Sequence, residues 1–254
     1  MTWNPAQYLK FAGPRLRPAV DLLSRISVEA PHTVFDLGCG AGETTALLAA
    51  RFSSAKISGV DSSPEMLTAA RDAFPELRFI EGDIADFKTV PPAHLIFSNA
   101  ALHWLVDHGR LLPRLLESVK HGGVLAVQMP RVEASPRMMV LKELAADPRW
   151  AARILPLVQP GPEAPEFYYD LLSADTESLD IWESEYLHVL SGKDPVVEWS
   201  KGSGAAPLLA ALEAGERRDF LKRYTAAMGD AYPMREDGKT LLPFRRLFIV
   251  AIRK

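Results

Sequence analysis

A chain of 254 residues and 28.0 kDa is long enough to bury a substantial core, as one large domain or one domain with a small appendage. Its 48% apolar and 24% charged residues exclude a disordered or collagen-like chain. A net charge of −3 gives no general attraction to phosphate backbones, so nucleic acid is not an expected partner. The single cysteine, Cys39, can form no intrachain disulfide and no Cys/His cluster has zinc-ligand spacing, so the expectation is a cytoplasmic protein without a metal. No apolar run reaches the length of about 18 residues that a membrane span needs, and the N-terminus lacks a basic stretch followed by an apolar one.

In chain order, Thr33 to Leu37 is a run of β-formers and apolar residues that stops at Gly38, the pattern of a buried strand. Glu43 to Phe52 carries Ala46, Leu47, Ala49 and Ala50 without a breaker and predicts a helix. A second strand, Lys56 to Val60, ends at Asp61; Ser63 then caps a helix that has Pro64 at its first position and Glu65 near the positive dipole end. Leu77 to Glu81 and His94 to Ser98 read as strands three and four, Leu111 to Val119 as a helix, and Val124 to Met129 as a fifth strand after the Gly122-Gly123 turn. Such alternation predicts an α/β fold, because parallel strands cannot be joined by hairpins and need crossover helices. Beyond Pro130 the rhythm changes. Pro136 to Ala146 and Leu208 to Met228 read as helices, Asp180 to Leu190 and Arg245 to Ile252 as strands suited to an antiparallel edge, and Pro156 to Pro165 as a loop.

The chemistry concentrates in Asp36-Leu37-Gly38-Cys39-Gly40-Ala41-Gly42, where the first strand meets its helix. Glycines there allow a tight turn and let backbone approach a ligand closely. Asp61 at the end of the second strand is placed to accept hydrogen bonds from both hydroxyls of a ribose, and Asp83, after the third strand, to meet an adenine amino group. A dinucleotide fingerprint would need its third glycine where Glu43 stands, and no Walker loop is present, so NAD and ATP are both disfavoured. Asp36 instead suits a cofactor bearing an ammonium group, which points to S-adenosylmethionine. Cys39, inside the glycine turn, reads as a packing residue, and His103 as a surface or capping residue.

These residues resemble the class I S-adenosylmethionine-dependent methyltransferases, and more closely the bacterial trans-aconitate 2-methyltransferases. The resemblance runs over nearly the whole chain: Trp3-Asn4-Pro5, the glycine block, Asp61-Ser62-Ser63-Pro64, Leu95-Ile96-Phe97, Trp104-Leu105, Val127-Gln128-Met129-Pro130, Tyr168-Tyr169-Asp170, Asp180-Ile181-Trp182 and Arg246 to Ala251. It implies a Rossmann-like, doubly wound, mostly parallel seven-stranded sheet with one antiparallel edge strand and a helical cap over the active site. Within a single domain, residues 1–28 would form an N-terminal helical lid and 30–130 the cofactor-binding core. Residues 131–175 and 193–230 would be cap insertions, with 178–190 and 245–252 the C-terminal strands.

The implied cofactor is S-adenosylmethionine, with S-adenosylhomocysteine as product, held by Tyr8, Arg17, Asp36, Gly38, Gly40, Asp61, Ser62, Met66, Asp83, Ile84, Asn99 and Trp104. The implied substrate is a small polycarboxylate held by Gln128, Met129, Tyr168, Tyr169, Trp199 and Arg246. Arg131 and Arg245 are further candidates; neighbours on a strand point to opposite faces, so at most one of Arg245 and Arg246 reaches a pocket, and the expectation is Arg246. Carboxylates are ionised at neutral pH, so the transfer asks for orientation and needs no general base. A monomer or weak homodimer is expected. Two other readings are a methyltransferase for a different small molecule and a non-catalytic S-adenosylmethionine-binding module. A nucleic-acid amino-methylase is disfavoured, because Asn99-Ala100-Ala101-Leu102 lacks the Pro-Pro-aromatic clamp that chemistry uses.

Overall fold

The computed structural model describes Gly13, residues 16–202 and residues 204–254. The chain divides into two compact units, Met1–Pro130, Pro162–Ser184 and Arg246–Lys254 in the first, and Arg131–Gly161 and Glu185–Arg245 in the second.

The first unit is the expected α/β body. Its strands are β1 (Thr33–Leu37), β2 (Lys56–Asp61), β3 (Arg78–Glu81), β4 (Ala93–Asn99) and β5 (Val119–Pro130), joined by helices α2 (Glu43–Arg51), α3 (Pro64–Ala73) and α4 (His108–Glu117). Two long late strands, β6 (Thr176–Leu190) and β7 (Thr240–Arg253), complete a seven-stranded sheet of order β3-β2-β1-β4-β5-β7-β6. The pairings β1–β2, β1–β4, β2–β3 and β4–β5 are parallel, and β7 runs antiparallel to β5, with Gln128 opposite Phe248 and Pro130 opposite Arg246. The runs Leu95 to Phe97, Leu125 to Val127 and Leu247 to Ile249 are buried continuously, without alternation, because helices cover both faces of a parallel sheet.

Helix α1 (Arg17–Ser24) buries Pro18, Ala19, Val20, Leu22 and Leu23 and packs against β5 and α2. Arg51 of α2 donates to the carbonyls of Leu23 and Ile26 and ties the end of α1 down. This part of the expected N-terminal lid is therefore a core helix, since five apolar side chains on eight residues make it a layer of the sheet. A second difference concerns α7 (Pro165–Leu172), expected within the cap. It belongs to the first unit, where Tyr168 and Leu172 join the main core and the helix packs against α4.

The second unit has its own apolar core. It is built by α5 (Pro136–Ala145), α6 (Ala151–Ile154), α8 (Pro195–Lys201), α9 (Ala206–Ala210) and α10 (Ala214–Ala231) around Leu141, Trp150, Leu208, Phe220 and Tyr224. The stretch Leu208 to Met228 is two helices where one was expected. Glu213 interrupts it by capping α10, its backbone N–H donating to Glu216 at 3.0 Å in a reciprocal capping box.

Candidate active site

The turn after β1 takes the left-handed backbone at Gly38 (φ 75°), Gly40 (φ 53°) and Gly42 (φ 93°), a conformation that side chains resist. A Cβ on Gly38 would lie 2.1 Å from that of Ala101, so the missing side chain is what lets the turn touch the loop after β4. A Cβ on Gly40 would meet nothing within 4 Å, because Gly40 opens onto a cavity of about 410 Å³. Gly38, Gly40, Asp61, Ser62, Met66, Asp83, Ile84 and Trp104 all line it, with Ala100, Ala101 and Leu105. Eight of the twelve residues expected around the cofactor are thus brought together at the carboxyl ends of β1, β2, β3 and β4, the end at which such sheets bind ligands.

Asp61 is anchored through both oxygens: Oδ2 accepts from the Gly40 N–H and Oδ1 from the Ser63 N–H, each at 2.9 Å. Each oxygen keeps a further lone pair, which suits two adjacent hydroxyls of a ribose. Asp83 uses Oδ1 to accept from the Ala85 N–H at 2.8 Å and its side chain is exposed. Open space at Gly40, a doubly anchored carboxylate and a second acid one strand on fit an adenosine-bearing group. Ala100, a non-glycine residue at φ 56°, lines the same cavity while its N–H donates to the Gln128 carbonyl at 2.9 Å. Strain of about 1–3 kcal/mol at such a residue is characteristic of functional sites.

The other four cofactor candidates fall elsewhere. Asp36 is 1% exposed and does not face the cavity; its Oδ2 accepts from the Thr45 hydroxyl at 2.7 Å. Burial pushes its carboxyl up to about 7, and the nearby Asp61 charge adds to the rise. The expectation that Asp36 meets an ammonium group is not met in this geometry, because α2 closes over it through Thr45. Arg17, expected on the methionine carboxylate, is exposed on α1 and forms a 3.9 Å ion pair with Asp21 one turn along. Asn99 sits at the end of β4 in register with Gln128 and outside the cavity lining. Tyr8 lies outside the described residues.

Among the substrate candidates, Gln128 and Arg246 come together: Arg246 Nη1 donates to Gln128 Oε1 at 3.3 Å, with both side chains buried. Met129 alternates to the other face and is a residue of the main apolar core. Tyr168 is also no ligand in this geometry. It is 0% exposed, its hydroxyl lies 2.6 Å from His108 Nδ1 and accepts from the Glu163 N–H at 3.0 Å. Tyr169 is 58% exposed on α7. Trp199 belongs to the second unit, its ring 4.6 Å from that of His188 and 6.1 Å from that of Phe244. Arg245 and Arg131 line a separate cavity of about 670 Å³ within the second unit, where Arg131 pairs with Glu133 at 3.3 Å.

His103, expected at the surface, is buried beside Trp104, with ring centroids 5.2 Å apart. Burial pushes its pKa down to about 3, and the Arg246 charge pushes the same way. Its position after β4 was legible; its burial was not, since the turn that carries it packs against β5, which comes later in the chain. Burial likewise pushes the Cys39 thiol up to about 12, which makes it a packing residue.

A methyltransferase-domain family model matches residues 34–123. A trans-aconitate 2-methyltransferase of Methylobacterium nodulans is 46% identical over 253 residues, 99% of this chain and 98% of that protein. Those of Azoarcus sp. and Escherichia coli are 44% and 43% identical, each covering 99% of this chain and at least 98% of their own length. The chain belongs to the trans-aconitate 2-methyltransferase family. Solved structures extend the likeness of fold. The YcgJ protein of Bacillus subtilis superposes with a TM-score of 0.61 at 16% identity, over 93% of this chain and 97% of that one. Phosphoethanolamine N-methyltransferase 2 of Haemonchus contortus, solved with S-adenosylhomocysteine, gives 0.56 at 15% identity, over 98% of this chain and 56% of that one. The glycine turn and Asp61 lie inside the stretch that the family model matches.

Proposed function

We propose that this protein is an S-adenosylmethionine-dependent carboxyl O-methyltransferase that converts trans-aconitate to a monomethyl ester. The observation that carries the reading is the buried arginine Arg246, held by Gln128 at the end of β5 in a chain that is 43–46% identical to trans-aconitate 2-methyltransferases over nearly its full length. A desolvated guanidinium is the residue type that recognises a carboxylate in a planar, bidentate way.

When bound, S-adenosylmethionine supplies a methyl group on a sulfonium; a carboxylate oxygen forms the new C–O bond as the C–S bond breaks, leaving an ester and S-adenosylhomocysteine with no proton exchanged. Asp61 would hold the ribose through the lone pairs left by its backbone anchors, and Asp83 would meet the adenine. Gly40 gives the backbone room for the cofactor to lie against the turn. Arg246 holds a carboxylate other than the reacting one, and so aims the nucleophile; orientation of this kind is the main catalytic demand once the nucleophile is already charged. Tyr169, exposed on α7 of the same unit, remains a candidate for the wall around the substrate. No helix among the described residues is long and apolar enough to cross a membrane. With a single buried cysteine, the reading is of a cytoplasmic enzyme, active as a monomer or weak homodimer.

The test is incubation of the purified protein with methyl-labelled cofactor and trans-aconitate. The expected product carries one extra methyl group and releases it in alkali, as an ester does. Label transferred to an alkali-stable position, or none transferred while the cofactor binds, overturns the proposal.

A further inference from the structure

The cavity of about 670 Å³ in the second unit has an apolar floor that the core of that unit does not explain. On β7, Leu242 and Phe244 enter the core, while Leu241, Pro243 and Arg245 alternate to the other face and line the cavity. On β6, Tyr186 and His188 are buried, while Glu185 and Leu187 line it. Leu187 is 56% exposed, so this apolar surface adds nothing to the packed interior. A concave surface of this kind with a few polar groups around it is what a small-molecule site looks like. Pro136, the first residue of α5, and Pro233 add stiff apolar walls. Arg245 alternates away from its neighbour Arg246, so the carboxylate site described above is a different one.

Two features say what the cavity takes. The first is a donor. The Tyr232 hydroxyl, on a residue only 9% exposed, accepts from the Arg137 N–H at 3.3 Å and so sits at the start of α5, where Ser135 and Pro136 also line the cavity. Its own hydrogen goes to no described residue, which leaves a donor for the acceptor of a ligand. The α5 backbone supplies no other: Pro136 has no N–H, that of Arg137 is used, and that of Met138 donates to the Ser135 carbonyl at 3.0 Å. The second feature is charge. Arg131 is already engaged, with Glu133 at 3.3 Å. The other charged residues of the lining are Arg235, Arg245 and Glu185, all exposed and none in an ion pair among the described residues. They leave one positive charge in surplus. It matches a single carboxylate, which arginine pairs through two parallel N–H groups, whereas a phosphate monoester brings about two charges.

We propose that this cavity is a second binding site, for an organic monocarboxylate with an apolar body. The carboxylate meets Arg235 and Arg245, the Tyr232 hydroxyl donates to an acceptor of the same ligand, and the body lies on Leu187, Leu241 and Pro243. A tricarboxylate such as trans-aconitate carries too much charge for it, so its occupant is not the methyl acceptor.

The test is calorimetry of the full chain with decanoate as the probe, alone and in the presence of S-adenosylhomocysteine and trans-aconitate. The wild type should bind one decanoate per chain, with a Kd that the other two compounds leave unchanged. Decanol, which lacks the charge, and decyl phosphate, which carries more of it, should each bind about 10-fold more weakly or worse. Replacing both surface arginines, Arg235→Gln with Arg245→Gln, should weaken decanoate roughly 10- to 100-fold, and Tyr232→Phe about 10-fold. The double variant should keep the wild-type Tm and the wild-type affinity for S-adenosylhomocysteine. Ala134→Trp, at an exposed position of the lining, should block decanoate by filling the space. Absence of saturable binding by the wild type overturns the proposal. So does decanol or decyl phosphate binding as tightly as decanoate, or binding that survives both the arginine and the tryptophan changes. Displacement of decanoate by trans-aconitate overturns it as well, since the cavity would then belong to the substrate.

Discussion

Asp36 and Asp61 are acids on neighbouring parallel strands, and their surroundings give them opposite tasks. Asp61 keeps two lone pairs toward the cavity, while Asp36 is sealed under Thr45. Replacing Asp61→Ala removes a charged acceptor and should weaken cofactor binding by about 1.5–3 kcal/mol, roughly 10- to 150-fold in Kd by calorimetry. Unchanged affinity in a folded variant would remove Asp61 from the site. Asp36 acts on stability. Its carboxyl moves from an ordinary 3.8 to about 7 in the folded chain, so between those values the folded state holds a proton that the unfolded chain has released. Stability therefore falls as pH rises through that window and levels off above it, by at most about 4 kcal/mol. Asp36→Asn, whose amide oxygen still accepts from Thr45, should gain Tm at pH 8 and little at about pH 4. If it weakened cofactor binding as much as Asp61→Ala should, Asp36 would be a ligand after all.

The crossing of α4 and α7 depends on one hydroxyl. The His108 Nε2–H donates to the Leu102 carbonyl at 2.9 Å, which leaves Nδ1 to accept from the Tyr168 hydroxyl at 2.6 Å, while that oxygen accepts from the Glu163 N–H. Tyr168→Phe leaves a buried acceptor and a donor unpaired and should cost about 2 kcal/mol of stability in denaturant melts. KM for trans-aconitate should not change; a selective rise in KM with normal stability would return Tyr168 to the substrate pocket. The same helix shows where sequence reading stops. Pro165 closes a proline-rich stretch that reads as loop, but it is the first residue of α7, where proline is equally at home. The central strands were legible because burial on both faces makes them unbroken apolar runs. The start of β6, with Glu177 and Asp180 partly or fully exposed, carries no such run and was missed until Asp180. Helices as short as α6 and α8 have too few turns to show a period.

Across the whole molecule, the cavity at the carboxyl ends of β1 to β4, the candidate cofactor half of the site, was legible because it is local, a glycine turn with Asp61 at the end of the next strand and Asp83 just after the one beyond. For the candidate substrate half the resemblance named Gln128 and Arg246, but not that they meet: they stand 118 residues apart, and only the antiparallel register of β5 and β7 brings them together. That assembly leads to a prediction about the reaction as a whole. A carboxylic acid with a pKa of about 4 is fully ionised at neutral pH, and the arginine that holds it stays protonated. His103, the titratable ring beside Trp104, is held at about 3 by burial and by Arg246. Asp36 does titrate near 7, but it lies under the turn and shifts stability, not the charge in the cavity. The rate with both substrates saturating should therefore be flat from about pH 6.5 to 8.5. The measurement is kcat across that range, with melts at each pH to subtract the Asp36 contribution. A rise with a slope of one that survives the correction would mean that a proton must leave before transfer; a general base would then have to be found, and an already charged nucleophile would be ruled out.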